Sequence, residues 1–190
     1  MCDIPVFYAT TEGQTRRIAE RIALTLRQRG FTSQAIDVAS PEASAVDWRR
    51  VRGAFLGASL HAGKHQPSAM AFAHTHAAEL SACPSTFFSV SLSAGSAHAR
   101  ELQAARQLAE AFAAQTHWRP RRIACVPGRL AYTQYGFIKR QLMKLIARRE
   151  GASTDTSRDH EYTDWWMVEQ LAREMCDAVR FEAELIPLGA

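Results

Sequence analysis

Residues 9–15 read ATTEGQT, a stretch with three hydroxyls, an amide, a carboxylate and one glycine. An apolar run precedes it and a segment of helical periodicity follows. Where a helix starts just after a strand, its first-turn N–H groups lack intrahelical partners and the helix dipole is positive, so the turn can hold a phosphate. Thr10, Thr11 and Thr15 can add hydroxyl donors to those amides. A Walker loop needs a lysine beside its last Ser or Thr, and a dinucleotide fingerprint needs three spaced glycines. This stretch has neither, and it carries Glu12 with no cation. Neutral donors of this kind suit the phosphomonoester of a mononucleotide better than a triphosphate with magnesium. The same residues also fit a plain capped turn, with Thr10 or Thr11 as the cap and Gln14 in the reciprocal position of a capping box. The loop by itself leaves both readings open.

Other reactive side chains form no recognisable constellation. His61 and His65 lie four apart, but Gly63 falls between them and no third ligand stands nearby. His74 and His76, two apart, face different sides of a helix. The four cysteines, Cys2, Cys83, Cys125 and Cys176, show no close pairing, which points to a reduced environment. Trp48, Trp118, Trp165 and Trp166 read as packing residues, and no nucleic-acid partner is expected. No side chain is demanded as a catalytic acid or base.

The elements that must position the loop follow from apolar patterning. With 190 residues, 47% hydrophobic and 22% charged, the chain is expected to form one domain over 1–190. No uninterrupted apolar run approaches the roughly 20 residues that span a bilayer, and no export signal is evident, so a cytoplasmic location is expected. Short apolar runs at 4–9, 34–38, 53–59, 86–92 and 122–128 read as buried strands. Helices are expected after the first strand, where Ile18, Ile22 and Leu26 recur and Gly30 ends the pattern, and at about 68–80 and 98–114. A last helix is capped near Thr163 or Asp164. Alternation of this kind predicts an α/β fold with a doubly wound, five-stranded parallel sheet. Ligands of such sheets bind beyond the carboxyl ends of the strands, which brings residues 10–15, 59–65 and 91–95 to one rim.

A segment at about 129–160 breaks the alternation, being too long for an ordinary loop. Between Arg119 and Arg149 there is no Asp or Glu, and the formal net charge of the chain is +4. In GFIKRQLMKLIARREG, Ile138, Leu142, Leu145 and Ile146 recur at helical spacing beside Lys139, Arg140, Lys144 and Arg148. A basic amphipathic helix can lie on an anionic membrane or bind acidic groups; it can also be an ordinary packed helix with a solvated face.

The stretches YATTEGQT, GASLHAGKH, SVSL, WRPRRIACVPGRLAY and TDTSRDHEYTDW, in this order, resemble the flavodoxin-type menaquinone-dependent protoporphyrinogen oxidase family of haem synthesis. The resemblance runs over about 4–175 and implies a flavodoxin-like fold with a basic helical insertion after strand five. It implies FMN as cofactor, with Thr10, Thr11, Glu12, Gly13, Gln14 and Thr15 around the phosphate. Ala58, Ser59, Leu60, His61, Ala62 and Gly63 would form one loop flanking the flavin ring, and Val90, Ser91, Leu92, Ser93 and Ala94 the other. Neither loop carries Trp or Tyr, a departure from ordinary flavodoxins that would leave a ring face to His61, to Tyr132 or Tyr135, or to a flat substrate. The family further implies protoporphyrinogen IX as substrate, a quinone as electron acceptor and peripheral contact with the inner face of the cytoplasmic membrane. Lys64, Arg129, Tyr132, Lys139, Arg140 and Lys144 are the candidates for substrate or membrane contact. Homo-oligomerisation stays open. An electron-carrier flavodoxin and a nicotinamide-dependent quinone reductase are the competing expectations.

Overall fold

The computed structural model describes residues 2–130, Asp155 and residues 160–185. Five parallel strands run in the spatial order β2-β1-β3-β5-β6: β1 (Val6–Ala9), β2 (Ala35–Asp37), β3 (Ala54–His61), β5 (Ser85–Ser91) and β6 (Arg122–Pro127). The expected five-stranded parallel sheet is therefore present. A two-residue strand, β4 (Lys64–His65), folds back antiparallel onto β3. The order reverses between β1 and β3, the switch point at which such sheets bind their ligands.

Alternation along each strand assigns its side chains to two layers. On one face, Val6, Tyr8, Phe55, Phe88, Val90 and Val126 pack under helices α1 (Gln14–Gln28) and α6 (Trp165–Leu185). On the other, Phe7, Ala9, Leu56, Ala58 and Phe87 meet α3 (Pro67–Thr75), α4 (Ala77–Ala82) and α5 (Ala99–Gln115). A short α2 (Pro41–Ser44) and a 3-10 turn at Trp48–Arg50 cover the β2 side. Ile18, Ile22 and Leu26 of α1 are fully buried, at about 1.5–3 kcal/mol each in transfer free energy. Gly57 is required by packing, because a Cβ there would collide with the buried Phe88 ring across the β3–β5 register.

Several expectations change in detail. The helix expected at about 68–80 is two helices, broken where His76 leaves the helical region with φ −109° and ψ 24°. Apolar spacing runs on through the break, so periodicity alone did not show it. Trp118 is buried, its indole N–H donating to Leu80 O (3.3 Å) and Ser85 Oγ (3.1 Å), and Trp48 stacks on Phe7. Trp166, by contrast, is 68% exposed and does not pack as expected. Cys125 lies on β6, half-buried against the α3/α5 layer.

Beyond β6, β7 (Arg129–Leu130) and β8 (His160–Glu161) pair antiparallel, with Arg129 opposite Glu161. They bracket the basic segment like a stem. Tyr132, Tyr135, Lys139, Arg140, Lys144 and Arg148 lie outside the described residues. Among the described residues, no helix is long and apolar enough to cross a membrane.

Candidate functional site

At the carboxyl end of β1 the chain makes a tight turn closed by Thr10 Oγ1, which accepts from the Gly13 N–H (2.9 Å). Gly13 sits in the left-handed region (φ +84°) and is the residue from which α1 starts. The capping-box arrangement is thereby corrected. Thr10 bonds Gly13 ahead of the helix, no side chain caps α1, and Gln14 is its first residue, with a side chain engaged elsewhere. A left-handed glycine at this point leaves the first-turn amides directed out of the strand end.

Thr15 is 0% exposed, and its Oγ1 has no hydrogen-bond partner among the described residues. A buried hydroxyl in that state costs roughly 1–3 kcal/mol. Thr15 lines a cavity of about 320 Å³ together with Thr10, Glu12 and Gln14. Ser59, Leu60, His61, Ala62 and Gly63 form one side, and Val90, Ser91, Leu92, Ser93, Gly128 and Arg129 another. The turn after β1, the β3–β4 hairpin and the loop after β5 thus meet at the switch point. Of the residues singled out from sequence, Thr11, Gly13, Ala58, Lys64 and Ala94 are not on the cavity wall. Ala58 is fully buried within β3, and Lys64 is exposed on β4.

The β3–β4 connection is a two-residue turn in which both Ala62 (φ 48°) and Gly63 (φ 75°) have positive φ, the geometry of a type I′ hairpin. Two side chains behind it fix its position. His65 Nε2 lies 2.9 Å from Ser89 Oγ, and its ring meets Phe87 and Phe112 edge-on. Burial holds this imidazole neutral, with its pKa lowered to about 4. Gln66 Nε2 donates to Ser59 Oγ and, at 3.3 Å, to Thr11 Oγ1, joining the hairpin to the turn after β1. The loop after β5 is closed by Ser91 Oγ, which accepts from Ala94 N–H (3.1 Å), while Gly128 N–H donates to Ser91 O (2.9 Å).

Sequence reasoning missed three parts of this site. Ala104, Ala105 and Leu108 of α5 form a further wall. Their spacing is that of any core-facing helix stripe and gives no separate signal. Gln66 sits just before a proline-initiated helix and carries no recognisable motif. The third part is the contact of YTDW with the end of β6, a stretch that carries the resemblance and a helix cap but to which the sequence assigned no place at the site. Tyr162 N–H donates to Gly128 O (3.1 Å), and Thr163 Oγ1 donates to Pro127 O (2.8 Å). Asp164 Oδ1 caps α6 by accepting from Met167 N–H (3.1 Å), and the Trp165 ring is covered by the guanidinium groups of Arg17 and Arg21. Of the two caps expected for the last helix, Asp164 is the one used. Among the described residues, no cluster of His, Cys, Asp or Glu could hold a metal.

A family model described as "Flavodoxin domain" matches residues 5–157. The chain is 34% identical over 170 residues to "Protoporphyrinogen IX dehydrogenase [quinone]" of Escherichia coli (strain K12), covering 90% of this chain and 92% of that protein. A protein of the same name from Leishmania major is 30% identical over 171 residues, covering 89% and 72%. Among solved structures, oxidised Flavodoxin 1 from Bacillus cereus superposes with a TM-score of 0.54 at 14% identity, over 92% of this chain and 97% of that one, a likeness of fold. The parallel sheet in the order found here, the cavity at its switch point and these matches agree: the chain belongs to the flavodoxin-domain family, in the branch whose curated relatives are named protoporphyrinogen IX dehydrogenase [quinone].

Proposed function

We propose that the chain binds FMN in the switch-point cavity and dehydrogenates protoporphyrinogen IX, with a membrane quinone as electron acceptor. The observation that carries the reaction is similarity over about nine-tenths of the chain, at 34% and 30% identity, to relatives named for it. The cavity supports the cofactor. Thr15 Oγ1 is a buried donor without a partner among the described residues, and the first-turn N–H groups of α1 lie beside it. A phosphate dianion would satisfy both. Thr10, Thr11, Glu12, Gly13 and Gln14 would complete the turn around it. The hairpin residues 58–63 and the loop 90–94 would flank the ring, where backbone N–H and C=O groups set the polarity it meets. When bound, FMN supplies a two-electron acceptor that can be reoxidised by a quinone.

The remaining roles fall to charge and shape. Arg129, on the cavity wall, would meet a carboxylate of the substrate, and Lys64, on the adjoining hairpin, would be a second cation for it. Lys139, Arg140 and Lys144 would contact an anionic membrane surface or the substrate's propionates, with Tyr132 as a further candidate for substrate contact. The whole chain is read as one FMN-binding domain, with 129–160 as the insertion that meets the membrane.

The test is anaerobic turnover. FMN-loaded protein, protoporphyrinogen and a menaquinone analogue should give porphyrin fluorescence well above the uncatalysed rate. A yellow, FMN-loaded protein that gives no such gain would overturn the substrate and leave an electron carrier.

A further inference from the structure

Gln14 stands at the junction of two structures that the sequence separates widely. Its backbone heads α1, beside the buried hydroxyl of Thr15, and the residue borders the cavity. Its side chain, in a residue only 7% exposed, points to the far end of the chain. Nε2 donates to Glu161 Oε1 (2.9 Å) and to Thr163 Oγ1 (2.8 Å), across 147 and 149 residues. Oε1 accepts from Arg17 Nη1 (3.1 Å), and the same Nη1 reaches Glu161 Oε2 (3.2 Å). Both polar atoms of the Gln14 side chain are thus engaged in this network, which runs from the buried Thr163 hydroxyl out to the exposed Arg17–Glu161 pair. Its acceptors are anchored in turn: Glu161 lies on β8 opposite Arg129 of β7, and Thr163 Oγ1 donates to Pro127 O at the end of β6.

We propose that Gln14 is a positioning residue that couples occupancy of the phosphate site to docking of the β7–β8 stem. The inference rests on the FMN reading given above. Gly13, left-handed and without a side chain, starts α1 with no side-chain cap on its first turn. In place of a cap, the Gln14 amide ties that turn to Glu161 and Thr163. The aim of the first-turn N–H groups therefore depends on β8 being in place. Coupling of this kind is reciprocal, so a bound phosphate also favours the docked stem. Arg129 lies on that stem and on the cavity wall, so the same link brings a cationic side chain to the cavity when the cofactor's phosphate is held.

Riboflavin, which lacks the phosphate, separates coupling from mere packing. In the full-length protein, Gln14→Met should weaken FMN binding about fivefold or more, measured by flavin fluorescence, with riboflavin affinity unchanged. Hydrogen exchange should show FMN, and not riboflavin, protecting residues 160–163 in the wild type, with that protection lost in Gln14→Met. The single variant Glu161→Gln keeps an oxygen acceptor for Gln14 Nε2 and should retain most of the FMN preference. If Gln14→Met does not fold, Thr163→Val, which deletes one acceptor, reads the same affinity ratio. Equal losses for both flavins, or a lower Tm with an unchanged ratio, would overturn the coupling while leaving FMN binding intact. A wild-type protein that binds neither flavin would overturn both the FMN reading and the coupling.

Discussion

Replacing Thr15 by valine should stabilise the cofactor-free protein and weaken FMN binding, two effects of opposite sign from one atom. Valine keeps the β-branched shape, so the first turn of α1 is unchanged apart from exchange of Oγ1 for a methyl group. That oxygen is fully buried with no partner among the described residues. A buried hydroxyl left unpaired costs about 1–3 kcal/mol. Taking the low end, removing it raises apo stability by about 1 kcal/mol, or about 2–4 °C in Tm for a domain of this size. In the complex the same hydroxyl would donate to a charged phosphate oxygen, a bond of about 1.5–3 kcal/mol. Its loss weakens FMN by about tenfold to about 150-fold at 1.4 kcal/mol per decade. Calorimetric melting of apo-protein and a fluorescence titration with FMN read the two effects separately. A lower apo Tm would mean that the hydroxyl is already satisfied, and an unchanged FMN affinity would remove Thr15 from the phosphate site.

Further outcomes follow from the loops and the insertion. His65 is neutral in the fold with a pKa lowered to about 4 by burial, against 6.5 for a free imidazole. Its stabilising effect is complete above pH 6.5 and is lost as pH falls toward 4, where the unfolded chain takes up a proton that the folded one refuses. The full loss approaches about 3 kcal/mol before discounting for the partly exposed ring, so urea denaturation of wild type and His65→Gln should converge across that interval. Parallel curves would refute a neutral buried imidazole. Ala62 has φ 48°, where asparagine is tolerated better than alanine. Ala62→Asn should therefore raise apo stability by about 0.5–1 kcal/mol in thermal melting. Joint replacement of Lys139, Arg140 and Lys144 by Gln should lower turnover with membrane-borne quinone while FMN stays bound. Unchanged turnover would dispose of the membrane role.

The strands were legible because a parallel sheet covered on both faces demands short continuous apolar runs, as in VFYA and AFLGAS. Helix α1 was legible from Ile18, Ile22 and Leu26 and its glycine stop. The two-helix division at His76 was not, since the local backbone change leaves the apolar spacing intact. The β3–β4 hairpin escaped notice because Ala62-Gly63 lacks the Asn or Asp that usually marks a type I′ turn. Strand ends gave the three loops that meet at the cavity, but what binds those loops together is non-local. Gln66 reaches Thr11 across 55 residues and Gln14 reaches Glu161 across 147. Such pairs leave no trace in spacing, and only the tertiary fold brings them together.

The chemistry of the cavity wall also bears on where flavin affinity would come from. Apart from His61, the loops at 58–63 and 90–94 offer serine, alanine, glycine, leucine and valine to the cavity, and α5 adds Ala104, Ala105 and Leu108. An aromatic partner contributes about 0.5–1.5 kcal/mol beyond its buried area, and neither loop supplies a Trp, Tyr or Phe. Binding would then lean on the phosphate end, where the Thr15 hydroxyl and the first-turn amides of α1 are concentrated. FMN should accordingly bind far more tightly than riboflavin, by a wider margin than in a site that grips the ring between aromatic side chains. Holding FMN by its phosphate would leave the ring in small, aliphatic surroundings. That arrangement would suit an enzyme whose second reactant must lie flat against the ring, and it would give the proposed tie between Gln14 and the β7–β8 stem its use: aiming the donors on which affinity depends.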